Sequence, residues 1–493
     1  MKKIIVFVFL IMMVAAQFSC NKLDQQPISN LPASSFWKTK EDAQSGNAAL
    51  YAGLQNAFGK TFTEWGDARS DNLSYGGTGE NQVNVSLNGI DALTASADWA
   101  TVYNTIQRAN LAIKYLPNIL KNNQLTQNDF ENYMAQAYAI RGFMYFWAIR
   151  LWGDVPLRTT PYETLDSSQY LGRTSKDSIL NYVIIPDLNN AYSLVAPNIL
   201  NCYFITQGAI LSMQAEVAMW QKRYVDVINI TNQINSLNRY TLMQDPTLYK
   251  NVFSTGTTAE NIWSLDWHYI TDGTNNLAAK IGSNGNTSNY TIDTSTTWYH
   301  RWVANGNDIR RFLSYDTVTY GATTQPKQIW KFYPIDINTA QPVYPIKTMC
   351  EAKLPFYRYA DILLMQAEAY NAIGDTANAL NNVRQIRNRA SAGSINYAYY
   401  HNLATQNDVL NVILDERQIE LFCEGKRWFD LVRNNTAANP LLINIMNPLI
   451  KARQTTLNLY PSGFSDTAKI LWPISRTALI ANASLVQNPS YSR

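Results

Sequence analysis

The sequence predicts a mainly α-helical fold, an irregular helical body with tetratricopeptide-like helix pairs and long aromatic-rich loops. Three observations support this prediction. Apolar residues recur at the spacing of amphipathic helices, small residues and tyrosines recur at the spacing of paired helices, and the segments between them are dense in Gly, Thr, Asn and Ser. With 493 residues, of which 46% are hydrophobic, the chain has room for two or three domains or one large one.

Charged residues make up only 16% of the chain, against about 25% in a typical globular domain, so we expect a surface rich in neutral polar groups. Lys and Arg number 40 and Asp and Glu number 37, which leaves a formal charge of +3. A nucleic-acid partner is not expected, because there is no basic excess to neutralise phosphates.

The N-terminus has the pattern of a secretory signal peptide over residues 1–19. Two lysines precede an apolar run from Ile4 to Ala16, which at about 13 residues is too short to span a bilayer. The run ends at Ser19 and Cys20, and a small residue followed by Cys resembles a bacterial lipobox. We therefore expect Cys20 to be the lipid attachment site, with ordinary secretion as the alternative. Residues 20–35 are then a polar, lipid-anchored tether.

Cysteine and histidine are too sparse and scattered to indicate a metal site or a disulfide framework. Without Cys20, an odd number of cysteines remains, with no CxxC spacing. They are Cys202, Cys350 and Cys423, and the histidines are His268, His300 and His401. The sequence therefore predicts no metal and no cofactor.

Helical periodicity is clearest in the first third of the chain. An Ala-rich periodic stretch covers 36–58, and a second helix continues from Trp99 until Pro117, which is expected to end it. A third long helix is predicted from about Asn128 to Trp152, with Gly153 after it.

Two later segments have the spacing of tetratricopeptide helix pairs. In 363–390, Ala367, Tyr370, Gly374 and Ala379 have the spacing at which two antiparallel helices can approach closely. A weaker copy covers 207–234. Because fewer than three tandem copies are present, we predict separate pairs within one helical body and not a regular solenoid.

Two segments lack helical periodicity and are rich in aromatic and amide side chains. They are 254–343 and 67–93. Long irregular segments in a compact helical chain are usually functional loops. Within the first segment, Trp263 lies in a strand-like apolar run and is predicted to be core, as is Trp99 on its periodic helix.

A series of ordered motifs covers almost the whole mature chain. The most specific segment is Ile413–Arg433, which carries the pattern ERxxELxxEGxRxxDLxR. The other motifs are Phe36-Trp37-Lys38-Thr39, Arg141-Gly142-Phe143, Leu151–Leu157, Glu260-Asn261-Ile262-Trp263, Arg358-Tyr359-Ala360-Asp361, Trp472-Pro473-Ile474 and Gln487–Tyr491. In this order the motifs resemble those of the SusD/RagB family of outer-membrane nutrient-binding lipoproteins, with Ser475 and Ser490 in place of the family's Pro and Gly.

The resemblance implies an N-terminal SusD-like helical region over 36–235 and a C-terminal RagB/SusD region over 236–493, which includes a loop-rich insert at 254–343. It also implies a lipid-anchored protein of the outer membrane, on the cell surface, with no enzyme activity. Such a protein binds oligosaccharides and delivers them to a SusC-like TonB-dependent transporter. Peptide is the closest alternative ligand, because the family includes peptide binders.

Three glutamates at four-residue spacing invite a catalytic interpretation. Glu416, Glu420 and Glu424 would lie on one helix face, about 6 Å from neighbour to neighbour, a separation that a glycosidase could use. The arginines interleaved with them favour a structural interpretation, in which ion pairs join this helix to its neighbours. A surface hydrolase is thus the weaker alternative, and a helical-repeat scaffold that binds only partner proteins is a third.

The candidate ligand contacts lie in the two irregular segments. Aromatic rings can take the CH face of a sugar, while Asn, Asp and Arg bind its hydroxyls. We expect Trp298 and Trp302 to serve as platforms in a loop, with Tyr299 beside them. The polar cluster and its tyrosine comprise Asp67, Arg69, Asp71, Asn72 and Tyr75. The prediction requires the two segments to meet in one exposed hollow lined by aromatic rings.

Overall fold

The computed structural model describes residues 33–77, 79–163, 170–245, 249–254, 257–282, 288–304, 307–315, 328–333, 348–391, 403, 405–464 and 467–491. Over these residues the fold is mainly α-helical, as predicted. The signal segment 1–19 and Cys20 lie outside them. Within them, no helix is long and apolar enough to cross a membrane.

The helices are α1 Ala33–Phe36, α2 Lys40–Thr63, α3 Glu80–Ser86, α4 Ala100–Lys121, α5 Gln127–Trp152, α6 Lys176–Ile179, α7 Ile185–Leu194, α8 Gln207–Trp220, α9 Tyr224–Ser236, α10 Asn251–Ser254, α11 Tyr269–Asp272, α12 Leu277–Ile281, α13 Thr297–Ala304, α14 Ile309–Ser314, α15 Tyr359–Ala372, α16 Thr376–Ser391, α17 Gln406–Glu420, α18 Arg427–Asn434, α19 Asn447–Thr456 and α20 Arg476–Ala481. Single π-helical turns occupy Glu64–Ala68, Leu180–Ile184 and Leu442–Met446, and short 3₁₀ turns occupy Ala95–Ala97, Thr467–Ile470 and Pro489–Tyr491.

The strands form three two-stranded antiparallel sheets within the described residues. They are β1 Leu73–Tyr75 with β5 Tyr290–Ile292, β2 Val155–Pro156 with β3 Arg173–Thr174, and β4 Asn261–Leu265 with β6 Leu354–Arg358. Trp263 is fully buried in β4, which confirms that it belongs to the core. Trp99 is also buried, at the residue that precedes α4.

Helices α2, α4 and α5 pack against one another in the N-terminal part of the fold. Helix α2 runs parallel to α5, since Lys40 pairs with Asp129 near their starts and Phe58 contacts Trp147 at 4.9 Å near their ends. The threonine before each of these two helices caps it through its side chain. Helix α4 continues past Pro117 to Lys121, so the prediction that proline ends it is wrong.

The two predicted helix pairs are confirmed as α8 with α9 and α15 with α16. Helix α9 also packs against α15, so the pairs follow one another in the fold although they are far apart in sequence. Each pair turns at a residue with a left-handed backbone, Lys222 at φ 59° and Gly374 at φ 89°. Glycine adopts such a φ without steric cost, which explains the Gly in the stronger pattern.

The segment 254–343 is less irregular than its composition indicates. Its described parts include four short helices, α11 to α14, and strands β4 and β5. The prediction that Trp298, Tyr299 and Trp302 lie in a loop is wrong, because all three belong to α13. One hydrophobic core includes residues from both sides of position 235. The division of the chain into regions 36–235 and 236–493 stays a prediction.

Candidate functional site

The two aromatic and polar segments meet in space. Strand β1 pairs with β5, with Tyr75 opposite Tyr290, and the Trp298 Nε1–H donates to the Asp71 carbonyl at 2.8 Å. The short sheet sets the start of α13 beside the residues that follow α2. The two segments therefore meet, as the site predicted from the sequence requires.

A cavity of about 400 Å³ opens where the segments meet. Its polar side carries Gln418 and two ion pairs, Asp71 with Arg427 and Asp415 with Arg301. Its apolar side comes from the segment around α19. The lining residues are Asp71, Ser295, Thr296, Thr297, Trp298, Arg301, Asp415, Gln418, Arg427, Asn444, Ile445, Pro448, Leu449 and Ala452. A ligand with an apolar face and a polar rim fits such a lining.

Asp71 and Arg427 form a buried bidentate ion pair at the cavity. The Asp71 oxygens accept from Arg427 Nε at 2.8 Å and from Nη2 at 2.9 Å. Burial alone would raise the pKa of Asp71, but the adjacent Arg427 guanidinium outweighs it and holds that pKa below its usual value. The pair is fixed in orientation, as planar guanidinium–carboxylate geometry requires.

Arg301 and Asp415 form a second ion pair that is partly open to solvent. Arg301 Nη2 donates to Asp415 Oδ1 at 2.8 Å, and the two side chains are 37% and 23% exposed. Burial raises the pKa of Asp415, and Arg301 opposes that rise. Because Asp71 and Asp415 each have an arginine opposite, the formal charges that line the cavity sum to zero.

Gln418 supplies the cavity with a hydrogen-bond acceptor that the protein leaves unused. Its Nε2 donates to Asn72 Oδ1 at 3.0 Å, which fixes the amide. Its Oε1 is buried and has no hydrogen-bond partner among the described residues. A buried unpaired acceptor costs about 1–3 kcal/mol, so a ligand hydroxyl that donates to Oε1 would recover that energy.

Most of the predicted aromatic platform is enclosed by the core. Trp302 is fully buried against Tyr315 and Phe422, and Tyr299 is 8% exposed. Trp298 and Trp302 are four residues apart, so they share a helix face, and that face packs inward. Trp302 and Tyr299 therefore present no ring face to a ligand in this conformation, whereas Trp298 forms part of the cavity wall.

Most of the predicted polar cluster has structural partners. Asp67 accepts from Asn72 Nδ2 at 2.8 Å and from the Gly425 amide at 2.7 Å, and burial raises its pKa to about 7. Arg69 donates to the Ile470 carbonyl and stacks on Trp428 at 4.2 Å. Asp67, Arg69 and Asn72 are fully buried. Tyr75 lies in β1 at the sheet and does not line the cavity.

The three regularly spaced glutamates are buried in an ion-pair network, which confirms the structural interpretation. Glu416 pairs with Arg310 at 2.6 Å, and Glu420 and Glu424 pair with Arg358 at 2.5 and 2.7 Å. Each glutamate side chain is at most 3% exposed. A substrate cannot reach these carboxylates in this conformation, so the geometry does not support the surface-hydrolase alternative.

Sequence reasoning missed the half of the cavity that comes from the C-terminal region. Asp415, Gln418 and Arg427 lie within or beside the ERxxELxxEGxRxxDLxR segment, whose charges were interpreted only as ion pairs between helices. Gln418 occupies an unspecified position (x) of that pattern, so the motif does not mark it as a site residue. In the segment 445–452, the sequence does not distinguish apolar residues that line a cavity from apolar residues of the core.

Family comparisons match both regions of the chain. The SusD family model matches residues 242–491, and a second model, described as starch-binding and associating with the outer membrane, matches residues 23–219. The chain belongs to the SusD/RagB family.

Individual relatives agree with this assignment. Over 96% of each chain, the protein is 27% identical to the SusD-like protein P38 of Formosa agariphila, and over 98% it is 25% identical to SusD-like protein P2 of the same organism. A SusD homologue from Bacteroides thetaiotaomicron shares the fold, with a TM-score of 0.76 at 19% identity over 93% of this chain and 98% of the other. NanU of B. fragilis gives a TM-score of 0.71 at 20% identity over 95% and 100%.

Proposed function

We propose that the protein is a glycan-binding lipoprotein that captures oligosaccharides at the outer membrane and delivers them to a SusC-like TonB-dependent transporter. The observation that carries the proposal is the cavity with the unused Gln418 acceptor. A sugar combines donor hydroxyls with an apolar CH face, and the cavity offers an acceptor on one side and Pro448 and Leu449 on the other. In this proposal Asp71 and Trp298 contribute as parts of the cavity wall.

The charge balance of the cavity favours an uncharged ligand. An acidic sugar or a peptide terminus would bring a charge to a site whose own charges are already paired. Desolvating such a charge without a new partner is costly. A neutral oligosaccharide carries no such cost, and this argument places glycan ahead of peptide.

The state of Asp71 supports binding without bond cleavage at this cavity, where the second carboxylate, Asp415, is paired with Arg301. Asp71 is held by Arg427 below its usual pKa, so it is ionised at neutral pH and cannot act as a general acid there. Capture requires only that the cavity retain the ligand until the transporter takes it.

Affinity electrophoresis tests the ligand class. Purified protein would run through native gels that contain amylopectin, laminarin, xylan or polygalacturonate, and peptide binding would be measured separately with a casein digest. We expect retardation by at least one neutral polysaccharide and none by polygalacturonate. Binding of the digest with no retardation in any gel would instead show a peptide-binding protein.

A further inference from the structure

A second cavity lies near the start of α2 and α5. It has a volume of about 480 Å³ and is lined by Gln44, Asn47, Ala48, Asp129, Asn132, Tyr133, Gln136, Ile199 and Phe204. From Gln44 to the end of α2 is about 29 Å at the helical rise of 1.5 Å per residue. The first cavity takes Asp71 from the segment that follows α2, and the two cavities share no lining residue.

Phe204 gives this cavity an exposed aromatic ring in a fixed position. The residue is 41% exposed, and its ring packs edge-to-face on Tyr51 with centroids 5.3 Å apart. The Tyr51 hydroxyl is in turn bonded to Gln136 and accepts from the Ile205 amide at 2.9 Å. Phe204 therefore offers a ring face that requires little further ordering when a ligand stacks on it.

Side-chain amides line the same cavity as the ring, and one of them has a buried acceptor without a partner among the residues that the structure describes. Asn47 Oδ1 is buried and has no hydrogen-bond partner within the described part of the chain. Asn132 Oδ1 accepts from the Ala196 amide at 3.0 Å, and Gln136 Nε2 donates to the Ile205 carbonyl at 3.0 Å, so both of these amides are held in place. A donor hydroxyl is the group that Asn47 lacks.

The acid in this cavity already has a cationic partner. Asp129 accepts from Lys40 Nζ at 2.9 Å. The lining then combines a fixed ring, oriented amides and no uncompensated charge. Hydroxyl-rich, uncharged ligands match all three properties, whereas an anionic ligand would meet Asp129.

We propose that this second cavity is a carbohydrate-binding site separate from the first. Its ligand class is a neutral oligosaccharide that stacks on Phe204 and bonds to the side-chain amides of the lining, Asn47 among them. The inference stands on the contacts at α2, α5 and Phe204 and does not depend on occupancy of the first cavity. A long glycan chain that reached both cavities would bind more tightly than a short one, because the second contact would be intramolecular.

Titration calorimetry with maltoheptaose, xylohexaose and laminarihexaose tests the site. The variants are Phe204→Ala and Asn47→Ala, with Leu200→Ala as the control, since Leu200 is 70% exposed and outside the lining. For at least one sugar, we expect Phe204→Ala to weaken binding about tenfold at a site that Gln418→Ala leaves unchanged. The control should match wild type.

The outcomes separate the two cavities. Binding that responds to Phe204→Ala but not to Gln418→Ala supports the second site even if the first cavity stays empty. Binding that responds only to Gln418→Ala overturns the second site and leaves the proposed function intact. Wild-type affinity in both Phe204→Ala and Asn47→Ala, or no binding of any of the three sugars, also overturns it.

Discussion

The Gln418 side chain connects the buried polar core to the first cavity. One end of its amide donates to Asn72, which in turn holds Asp67, and the other end is the unused acceptor. The bond to Asn72 fixes the amide, but Oε1 is buried, so a ligand reaches it only when the cavity wall moves locally. Orientation fixed before binding reduces the entropy that association costs.

Replacing Gln418 tests whether that acceptor binds the ligand. We expect Gln418→Ala to weaken retention in the gel that binds wild type by about threefold to tenfold, because one hydrogen bond is worth about 0.5–1.5 kcal/mol. Gln124→Ala is the matched control, since Gln124 is exposed and does not line the cavity. Unchanged retention in a Gln418→Ala protein with a wild-type circular dichroism spectrum would contradict the assignment.

At the scale of elements, buried ion pairs join helices that hydrophobic contacts alone would leave free to slide. Glu216 in α8 accepts from Arg150 of α5 at 2.8 Å and from Tyr357 of β6. Burial would raise the pKa of Glu216, but Arg150 and Lys426 outweigh it and lower that pKa to about 2. The interaction therefore favours the ionised side chain in the folded state.

This lowered pKa gives a prediction about stability against pH. Because the folded pKa lies below the unfolded value, Glu216 stabilises the fold at neutral pH, and that contribution is lost as the pH falls from about 4.5 toward 2. We expect Glu216→Gln to lower the free energy of unfolding by about 3 kcal/mol at pH 7 and by less at pH 3, measured by urea denaturation. The exposed Glu41→Gln should change it by less than about 0.5 kcal/mol.

A deficit in Glu216→Gln of the same size at both pH values would contradict the assigned ionisation. It would indicate that the loss comes from packing and not from the charge.

The elements also show which features local sequence determines. Helix pairs were predictable, because close approach requires small residues at fixed spacing and the turn at Gly374 requires a left-handed backbone. The burial of Trp302 was not predictable, because it depends on Tyr315 and on Phe422, which is far away in sequence. Aromatic residues enriched in a segment can fill a core as readily as a surface, and only tertiary contacts decide between them.

Across the molecule, the two cavities share no lining residue, and only the second is built on α2 and α5. The family was accessible from sequence motifs, and the site prediction required 67–93 to meet 254–343, but the pairing of β1 with β5 and the cavity itself were not predicted. It forms from residues around 71, 298, 418 and 448, and no single segment carries its pattern.

Membrane attachment through Cys20 is a prediction for the intact chain. We expect the wild-type protein to incorporate labelled palmitate and to fractionate with outer membranes, and Cys20→Ala to do neither, because the thiol that carries the acyl chains is gone. Ser19→Ala keeps a small residue before the cysteine and should behave like wild type. Palmitate incorporation by Cys20→Ala would exclude Cys20 as the attachment site.

A crystal structure of the mature protein, soaked with the neutral oligosaccharide that corresponds to the most retarding gel, tests the central claim most directly. We predict sugar density in the first cavity, between Trp298 and the wall at Pro448 and Leu449, with a hydroxyl within hydrogen-bond distance of Gln418 Oε1. A bound sugar in the crystal that leaves this cavity empty would contradict the account.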